Sequence, residues 1–318
     1  MAKQLQAFAV WRLLVLAILL GSTAQAQTDI DAIMMEKHAF CVGPSYSYSS
    51  FKNYWEGTRK RNNLNMGRVS TRMFGLMGDY GITKKLNALF GLPYVRTRAS
   101  AGTLHGLEGV QDLSLFLKWN PVRRKWGEGV FSAFAIGGFS LPLSNYVVDY
   151  LPLSIGLHTR NLLGRVMADY QRGNWFVTGS ATYVYRSNTR LDRNSYYTTE
   201  MIDNTEVEMP DAMSFNLRAG LRGYHLIAEG FLNNWTTLGG FDITRNNMPF
   251  PSNRMNATSL GVNVKYTPTW APRLSLVGTG SCVVTGRNMG QATTVDGAIF
   301  YVFDLSSHKK SSSNNPKM

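Results

Sequence analysis

The sequence predicts an all-β fold, a transmembrane antiparallel β-barrel of about 12 strands with both termini in the periplasm. Three observations support this prediction. Apolar and polar side chains alternate with a period of two in segments of about ten residues. The connections between these segments are alternately short and long. The chain also begins with the features of an export signal.

The first 26 residues resemble a cleavable signal peptide. Lys3 and Arg12 make the start basic, an apolar run follows at 13–20, and Ala-Gln-Ala at 24–26 supplies the cleavage pattern. The apolar run is shorter than the roughly 20 residues that a membrane-spanning helix needs. We therefore predict an exported mature chain that begins near Gln27.

The composition favours a protein whose outer face contacts lipid. Charged residues make up 17% of the chain and hydrophobic residues 44%, whereas a soluble domain usually carries about 25% charge. The formal net charge is +13. In a nucleic-acid-binding protein such a charge would contact phosphates, but in an exported one it predicts contact with anionic lipid head groups or a lumen that favours anions.

The alternation is clearest in the segment from Trp175 to Ser187, where aromatic and aliphatic side chains occupy one face and hydroxyl and basic side chains the other. About ten residues of extended, tilted strand cover the apolar band of a barrel, which is about 25 Å tall. The same pattern predicts twelve strands: Ala39–Ser50, Arg68–Tyr80, Leu86–Thr97, Val110–Asn120, Val130–Pro142, Thr159–Gln171, Trp175–Ser187, Met213–Arg222, His225–Trp235, Asn256–Thr267, Leu274–Arg287 and Val295–Asp304.

The connections divide the chain into two sides. Short turns at 81–85 and 171–174 contrast with long connections at 52–67, 188–212 and 236–255. Barrels place short turns in the periplasm and long loops outside, so the long loops are predicted to be extracellular.

The predicted organisation has four parts. They are a signal peptide at 1–26, a periplasmic N-terminal segment at 27–38, the barrel at 39–305 and a disordered tail at 306–318. The last strand ends in aromatic residues, which is the pattern that the barrel assembly machinery recognises.

Polar side chains opposite the apolar face are predicted to line the lumen, where water removes the cost of burying a charge. These residues are Asp112, Lys118, Arg165, Asp169, Arg186, Arg218, Arg222, Glu229, Lys265 and Asp296. Because basic groups outnumber acidic ones, we expect a mild preference for anions or amphipathic carboxylates. Asp112 and Lys118 share a face and are expected to form either a structural ion pair or a charge pair that steers solutes. The segment from Phe131 to Leu141 is apolar on both faces, which indicates an apolar patch inside the barrel or an error in its assigned register.

The sequence contains no motif of a known catalytic centre. It lacks G-x-S-x-G, Walker A, H-E-x-x-H and C-x-x-C patterns. Barrel lipid hydrolases use a His followed two residues later by Ser, but His158 is followed by Thr159 and Arg160. We therefore expect no catalytic, cofactor-binding or metal-binding residues.

Three neighbouring stretches carry a resemblance to a known family. The sequences YGITKKL at 80–86, GLPYV at 91–95 and GVQDLSLFLK at 109–118 resemble the outer-membrane family named for the meta-pathway of phenol degradation. Gln111 departs from that family's pattern, which has Gly before the Asp. The resemblance covers about forty residues and implies a barrel transporter related to the channels for fatty acids and aromatic hydrocarbons.

The predicted function is passive uptake of small compounds, hydrophobic or aromatic ones among them, through an outer-membrane channel. The alternatives are a structural or adhesive barrel and a barrel lipid hydrolase. The predicted partners are outer-membrane lipid and lipopolysaccharide, the barrel assembly machinery and a small-molecule solute, with no nucleic acid.

Overall fold

The structure is a computed structural model that describes Thr28, residues 30–243 and residues 248–306. The predicted signal peptide and all of the predicted tail after Ser306 lie outside the described residues. Within the described part of the chain, no helix is long and apolar enough to cross a membrane.

Twelve long strands form one sheet. In chain order they are β1 (Ala39–Phe51), β2 (Val69–Thr83), β3 (Leu86–Ala99), β4 (Asp112–Trp126), β5 (Gly129–Pro142), β6 (Asn161–Arg172), β7 (Trp175–Arg186), β8 (Ala212–Arg222), β9 (Leu226–Thr237), β10 (Asn256–Tyr266), β11 (Leu274–Arg287) and β12 (Thr293–Asp304).

The sheet closes on itself. Each strand pairs antiparallel with the next in sequence, and β12 pairs antiparallel with β1, from Ala39 opposite Asp304 to Ser50 opposite Thr293. Closure leaves no sheet edge, so every strand finds its hydrogen-bond partners within the barrel. The predicted twelve-stranded antiparallel barrel is confirmed.

The strand bounds differ most from the prediction at the end of β4. This strand was predicted to stop at Asn120, one residue before Pro121, which has no N–H to donate to the ladder. It continues to Trp126, with a register shift between Trp119 and Val122 that accommodates the proline. A bulge thus takes Pro121 out of the regular ladder without ending the strand.

The two ends of the barrel differ as the connections predicted. At one end, called here the short-turn end, two residues separate β2 from β3, β4 from β5 and β6 from β7. At the other, the long-loop end, the connections carry short strands of their own: Asn53–Glu56, Arg59–Asn62, Glu108–Val110, Thr189–Arg190, Tyr196–Tyr197, Met201–Ile202 and Glu206–Val207. Which end faces the periplasm stays a prediction.

The two faces of the barrel wall follow the predicted alternation. Trp175, Leu217 and Val262 on the outer face are 68%, 52% and 61% exposed, although all three are apolar. On the inner face Lys118 and Thr178 are buried, although both are polar. The apolar surface therefore faces outward, as expected where lipid replaces water, and the interior is predominantly polar.

Candidate functional site

The middle of the lumen holds a cavity of about 430 Å³. Its wall carries hydroxyl, amide and charged side chains from β6 to β12, and five of the ten residues predicted from the alternation lie there: Arg165, Arg218, Glu229, Lys265 and Asp296.

Ion pairs organise the charged side chains of the wall. Arg218 on β8 binds Glu229 on β9, and the Asn263 amide donates to the same carboxylate over 3.0 Å. Nearer the short-turn end, Arg222 donates to the carboxylate of Asp169 over 3.2 Å. A buried charge is tolerated where an opposite charge and further hydrogen bonds meet it, and the antiparallel register supplies both here.

The N-terminal segment, described at Thr28 and at residues 30–38, lies inside the barrel rather than beside it. The Lys118 ammonium is fully buried and donates to the Asp31 carboxylate and to the carbonyl oxygen of Thr28, both over 3.0 Å. Burial by itself would raise the pKa of the Asp31 carboxyl, but the charges of Lys118 and Lys265 and the N–H groups of Thr28 and Ile33 outweigh it and hold that pKa below its ordinary value.

Apolar contacts fix the same segment. Ala32 and Met34 pack against a cluster formed by Phe134, Ile136 and Met167 on the inner face of β5 and β6. Towards the short-turn end, Met35 is 2% exposed in a second cluster: Ala39, Cys41, Phe300 and Val302. The apolar patch that the sequence indicated inside the barrel is real, and the N-terminal segment covers it.

Two of the predicted lumen residues lie at the long-loop end. Arg186 donates from Nε to the carbonyl oxygen of Pro210 over 2.6 Å, and the Tyr146 hydroxyl donates to Asp112 over 2.5 Å. Asp112 and Lys118 therefore do not form the pair expected from the sequence. Six residues along the strand set them about 20 Å apart. Each has another partner, Tyr146 for Asp112 and Asp31 for Lys118.

The balance of charge in the lumen differs from the sequence-based expectation. The count of inward residues omitted two acids, Asp31 in the N-terminal segment and Asp79 on β2, which is 1% exposed and accepts from the Asn87 amide over 3.2 Å. Among the residues below the loop layer that are buried, ion-paired or line the central cavity, five basic side chains are matched in number by five acidic ones: Lys118, Arg165, Arg218, Arg222 and Lys265 against Asp31, Asp79, Asp169, Glu229 and Asp296. These central residues therefore carry no excess of basic groups, which was the basis for expecting an anion preference.

The long loops pack on one another at the mouth of the barrel. A buried apolar cluster joins three of the connections and consists of Val148, Leu191, Tyr196, Val207, Met209 and Phe250. Because residues from three connections pack together in this cluster, these loops form one layer and do not extend separately from the barrel.

A second cavity, called here the mouth pocket, lies in this layer. It has a volume of about 410 Å³ and is lined mainly by apolar side chains, among them Leu104, Leu151, Ile243, Met248, Met255 and Met289. Asn288 closes its base: its amide donates to Asp242 and to the carbonyl oxygen of Arg254, both over 2.7 Å, and its oxygen accepts from the Gly57 N–H over 2.7 Å. These residues come from five connections and follow no periodic pattern, so the pocket could not be predicted from the sequence.

Among solved structures, the COG4313 outer membrane channel from Pseudomonas putida F1 is similar to this chain, with a TM-score of 0.69. The match covers 88% of this chain and 100% of that one, at 16% identity. The chain has the fold of an outer-membrane β-barrel channel. A closed barrel with an apolar outer wall is the architecture of outer-membrane proteins. At 16% identity the likeness itself shows the fold alone.

Other barrels are similar at lower levels. The translocator domain of the autotransporter NalP from Neisseria meningitidis matches with a TM-score of 0.42 at 10% identity, over 95% of this chain and 97% of that one. OccK8 (OprE) from Pseudomonas aeruginosa matches with a TM-score of 0.35 at 8% identity, over 84% and 98%. No protein-family model matches the sequence, and no curated protein does.

Proposed function

We propose that this chain is a passive outer-membrane channel, not an enzyme, and that it admits small apolar or aromatic compounds. The observation that carries the proposal is the mouth pocket, an apolar cavity of about 410 Å³ at the entrance of a polar lumen. Ligand pockets for small molecules have volumes of about 300–1,000 Å³ and are mostly apolar with a few polar groups. The resemblance to the family of the meta-pathway of phenol degradation agrees with this solute class.

The chemistry of the pocket favours aromatic solutes. Four methionines line it, Met66, Met248, Met255 and Met289, and a thioether adapts its shape and makes favourable contacts with aromatic rings. Asn63 and Asn65 also line it, and an amide could bind a phenolic hydroxyl. The pocket would collect a dilute apolar solute above the lumen.

The surroundings of three of the four described histidines agree with the proposal that the barrel is not an enzyme. His38 lies 3.1 Å from the Tyr80 hydroxyl, His225 contacts the carbonyl oxygen of Thr267 over 3.0 Å, and His158 stacks edge-on against Tyr146. None of these neighbours is a serine positioned for attack.

A second candidate is a structural or adhesive barrel. The observation that favours it is the N-terminal segment, which fills part of the lumen. A channel needs this segment to move or to leave a path beside it, whereas a purely structural barrel needs neither. Measured permeation separates the two.

We also propose that the chain contacts lipopolysaccharide and is inserted by the barrel assembly machinery. Support for the second part comes from the last strand, β12, which ends in aromatic residues. On its outer face Ile299 and Phe303 are 52% and 44% exposed.

Uptake in a deletion strain tests the proposed function. Cells that lack the protein should accumulate a radiolabelled monocyclic aromatic compound more slowly than cells that express it. The double variant Met255→Asp and Met289→Asp places two charges in the mouth pocket. Cells that express it should lose most of the increase in uptake rate that the wild-type protein provides. Met201→Asp is the matched control, because Met201 is 65% exposed on another loop. Equal uptake with and without the protein would refute the proposal.

A further inference from the structure

The outer wall of the barrel carries a basic cluster at the long-loop end, called here the rim cluster: Arg72 on β2 and Arg96 and Arg98 on β3. All three side chains are exposed, and they share a face with exposed apolar residues such as Phe74 and Tyr94. They are therefore directed towards the surroundings of the barrel and not into its lumen.

The strand register places this cluster directly above an aromatic row. Tyr46, Phe74 and Tyr94 are cross-strand neighbours, and the first two rings are 4.9 Å apart. Two residues further along the strands, Arg72 lies opposite Arg96. This second row is about 7 Å from the first. Aromatic rows mark the level of the lipid head groups in barrels, so the arginines lie where phosphates of the adjacent leaflet lie.

Among the described strands, this is a cluster of positive charges on the outer wall at the long-loop end, a place where the other strands carry few charges. Other charged side chains of the barrel strands mostly face the lumen, and the outward ones, Arg124 and Arg172, lie at the short-turn end. Like charges directly opposite each other on a sheet destabilise it. Arg96 gains the carboxylate of Glu108 at 2.8 Å, whereas Arg72 and Arg98 have no acidic partner in the described part of the chain.

A crevice adjoins the cluster. Its volume is about 450 Å³, and it is bounded by Arg96, Arg98, Glu108 and the loop of residues 100–106, which includes His105. A planar guanidinium binds a phosphate through two parallel hydrogen bonds. Arg98, which has no acidic partner in the described part of the chain, lines this crevice, and Arg72 lies opposite Arg96 on the neighbouring strand.

We propose that Arg72, Arg96 and Arg98 bind the phosphate groups of the glycolipid in the outer leaflet, the lipid A part of lipopolysaccharide. The acyl chains of this lipid would lie along the apolar wall below, beside Phe74 and Leu76. This proposal rests on the proposed orientation in which the long loops face outside.

Binding of purified lipid A to the full-length barrel in detergent tests the site. Arg72→Gln with Arg98→Gln should weaken binding by about 100-fold, on the order of tenfold for each charge-assisted contact. The matched control is Arg123→Gln with Arg124→Gln, two arginines of β4 at the opposite end, which should bind as the wild type does. Equal binding by the rim variant and the wild type would overturn the proposal.

Measurements on the unaltered protein guard against a variant that fails to fold. Lipid A stripped of its phosphates should bind the wild type at least tenfold more weakly than the intact lipid, and inorganic phosphate at millimolar concentration should not displace intact lipid A. Indifference to the phosphates, or full displacement by inorganic phosphate, would each contradict a lipid site. Solute uptake distinguishes the two proposals. If the wild type takes up the solute but does not bind lipid A, only the lipid site is refuted. If it binds lipid A but does not take up the solute, only the proposed function is refuted.

Discussion

At the scale of single residues, Lys118 connects the wall of the barrel to the N-terminal segment inside it. It is fully buried, binds both Thr28 and Asp31, and lies 5.9 Å from the centre of the Phe134 ring. The sequence predicted that Lys118 faces inward because alternation is a local property of a strand. It did not predict the partner, because Asp31 reaches Lys118 only after the chain has turned back into the closed barrel.

Replacing Asp31 should loosen the N-terminal segment. A hydrogen bond to a charged group contributes about 1.5–3 kcal/mol, so Asp31→Asn should raise the population of displaced segment by on the order of tenfold. Time-averaged conductance in planar bilayers would rise accordingly. Asp296→Asn is the control, because Asp296 lines the same cavity without a described contact to the segment. Equal conductance in the two variants would argue against an anchor at Asp31.

The same anchor predicts a pH dependence. The pKa of Asp31 is lowered in the folded chain, so its stabilising effect is fully present above the ordinary carboxyl value of about 4 and is lost as the pH falls through the lowered value. Conductance should therefore be constant between about pH 5 and 8 and rise only in stronger acid. In Asp31→Asn this acid response should be absent, and a response of equal size there would assign the effect to another group.

At the scale of elements, β5 explains a feature that alternation alone left ambiguous. Its inner face carries Phe134 and Ile136, 4% and 3% exposed, and its outer face Phe139, 42% exposed. A strand that is apolar on both faces is expected where the N-terminal segment covers the inner face and lipid contacts the outer face. The sequence indicated the inner patch, but what covers it could not be predicted because Ala32 and Met34 form too short an apolar pattern to assign.

Truncating the inner face of β5 should release the segment. Replacing a buried Phe by Ala costs about 3–5 kcal/mol, part of it from contacts with the N-terminal segment. Phe134→Ala should therefore speed amide hydrogen exchange in residues 30–36, as measured by mass spectrometry. Phe139→Ala removes the same ring from the lipid face of the same strand and should leave that exchange unchanged. Equal protection in both variants would show that the β5 contact does not hold the segment.

At the scale of the whole molecule, the barrel was predictable and its contents were not. The period-two pattern and the connection lengths define a closed cylinder, since each is a repeated local signal. The mouth pocket depends on packing among loops such as 238–243 and 288–292, and the charge balance depends on Asp79 and Asp31, which the count of inward residues missed. These features arise from contacts between parts of the chain that are distant in sequence.

The balanced lumen predicts weak ion selectivity. Because acidic and basic side chains are equal in number among the central residues of the lumen, the reversal potential under a tenfold salt gradient should stay close to zero. Arg165→Gln removes one positive charge from the cavity wall and should shift the potential towards cation preference, whereas Asp296→Asn should shift it the other way. A strong anion preference of the wild type would restore the expectation drawn from the sequence.

The most direct test of a lumen obstructed by its own N-terminal segment is single-channel conductance in planar bilayers. The wild-type barrel is compared with a variant that lacks residues 30–34 and whose folding is verified by heat-modified gel mobility. The wild type should show small or infrequent openings, and the shortened chain should show large and sustained ones. If neither folded protein showed any conductance, the proposal that the barrel is a channel would be contradicted.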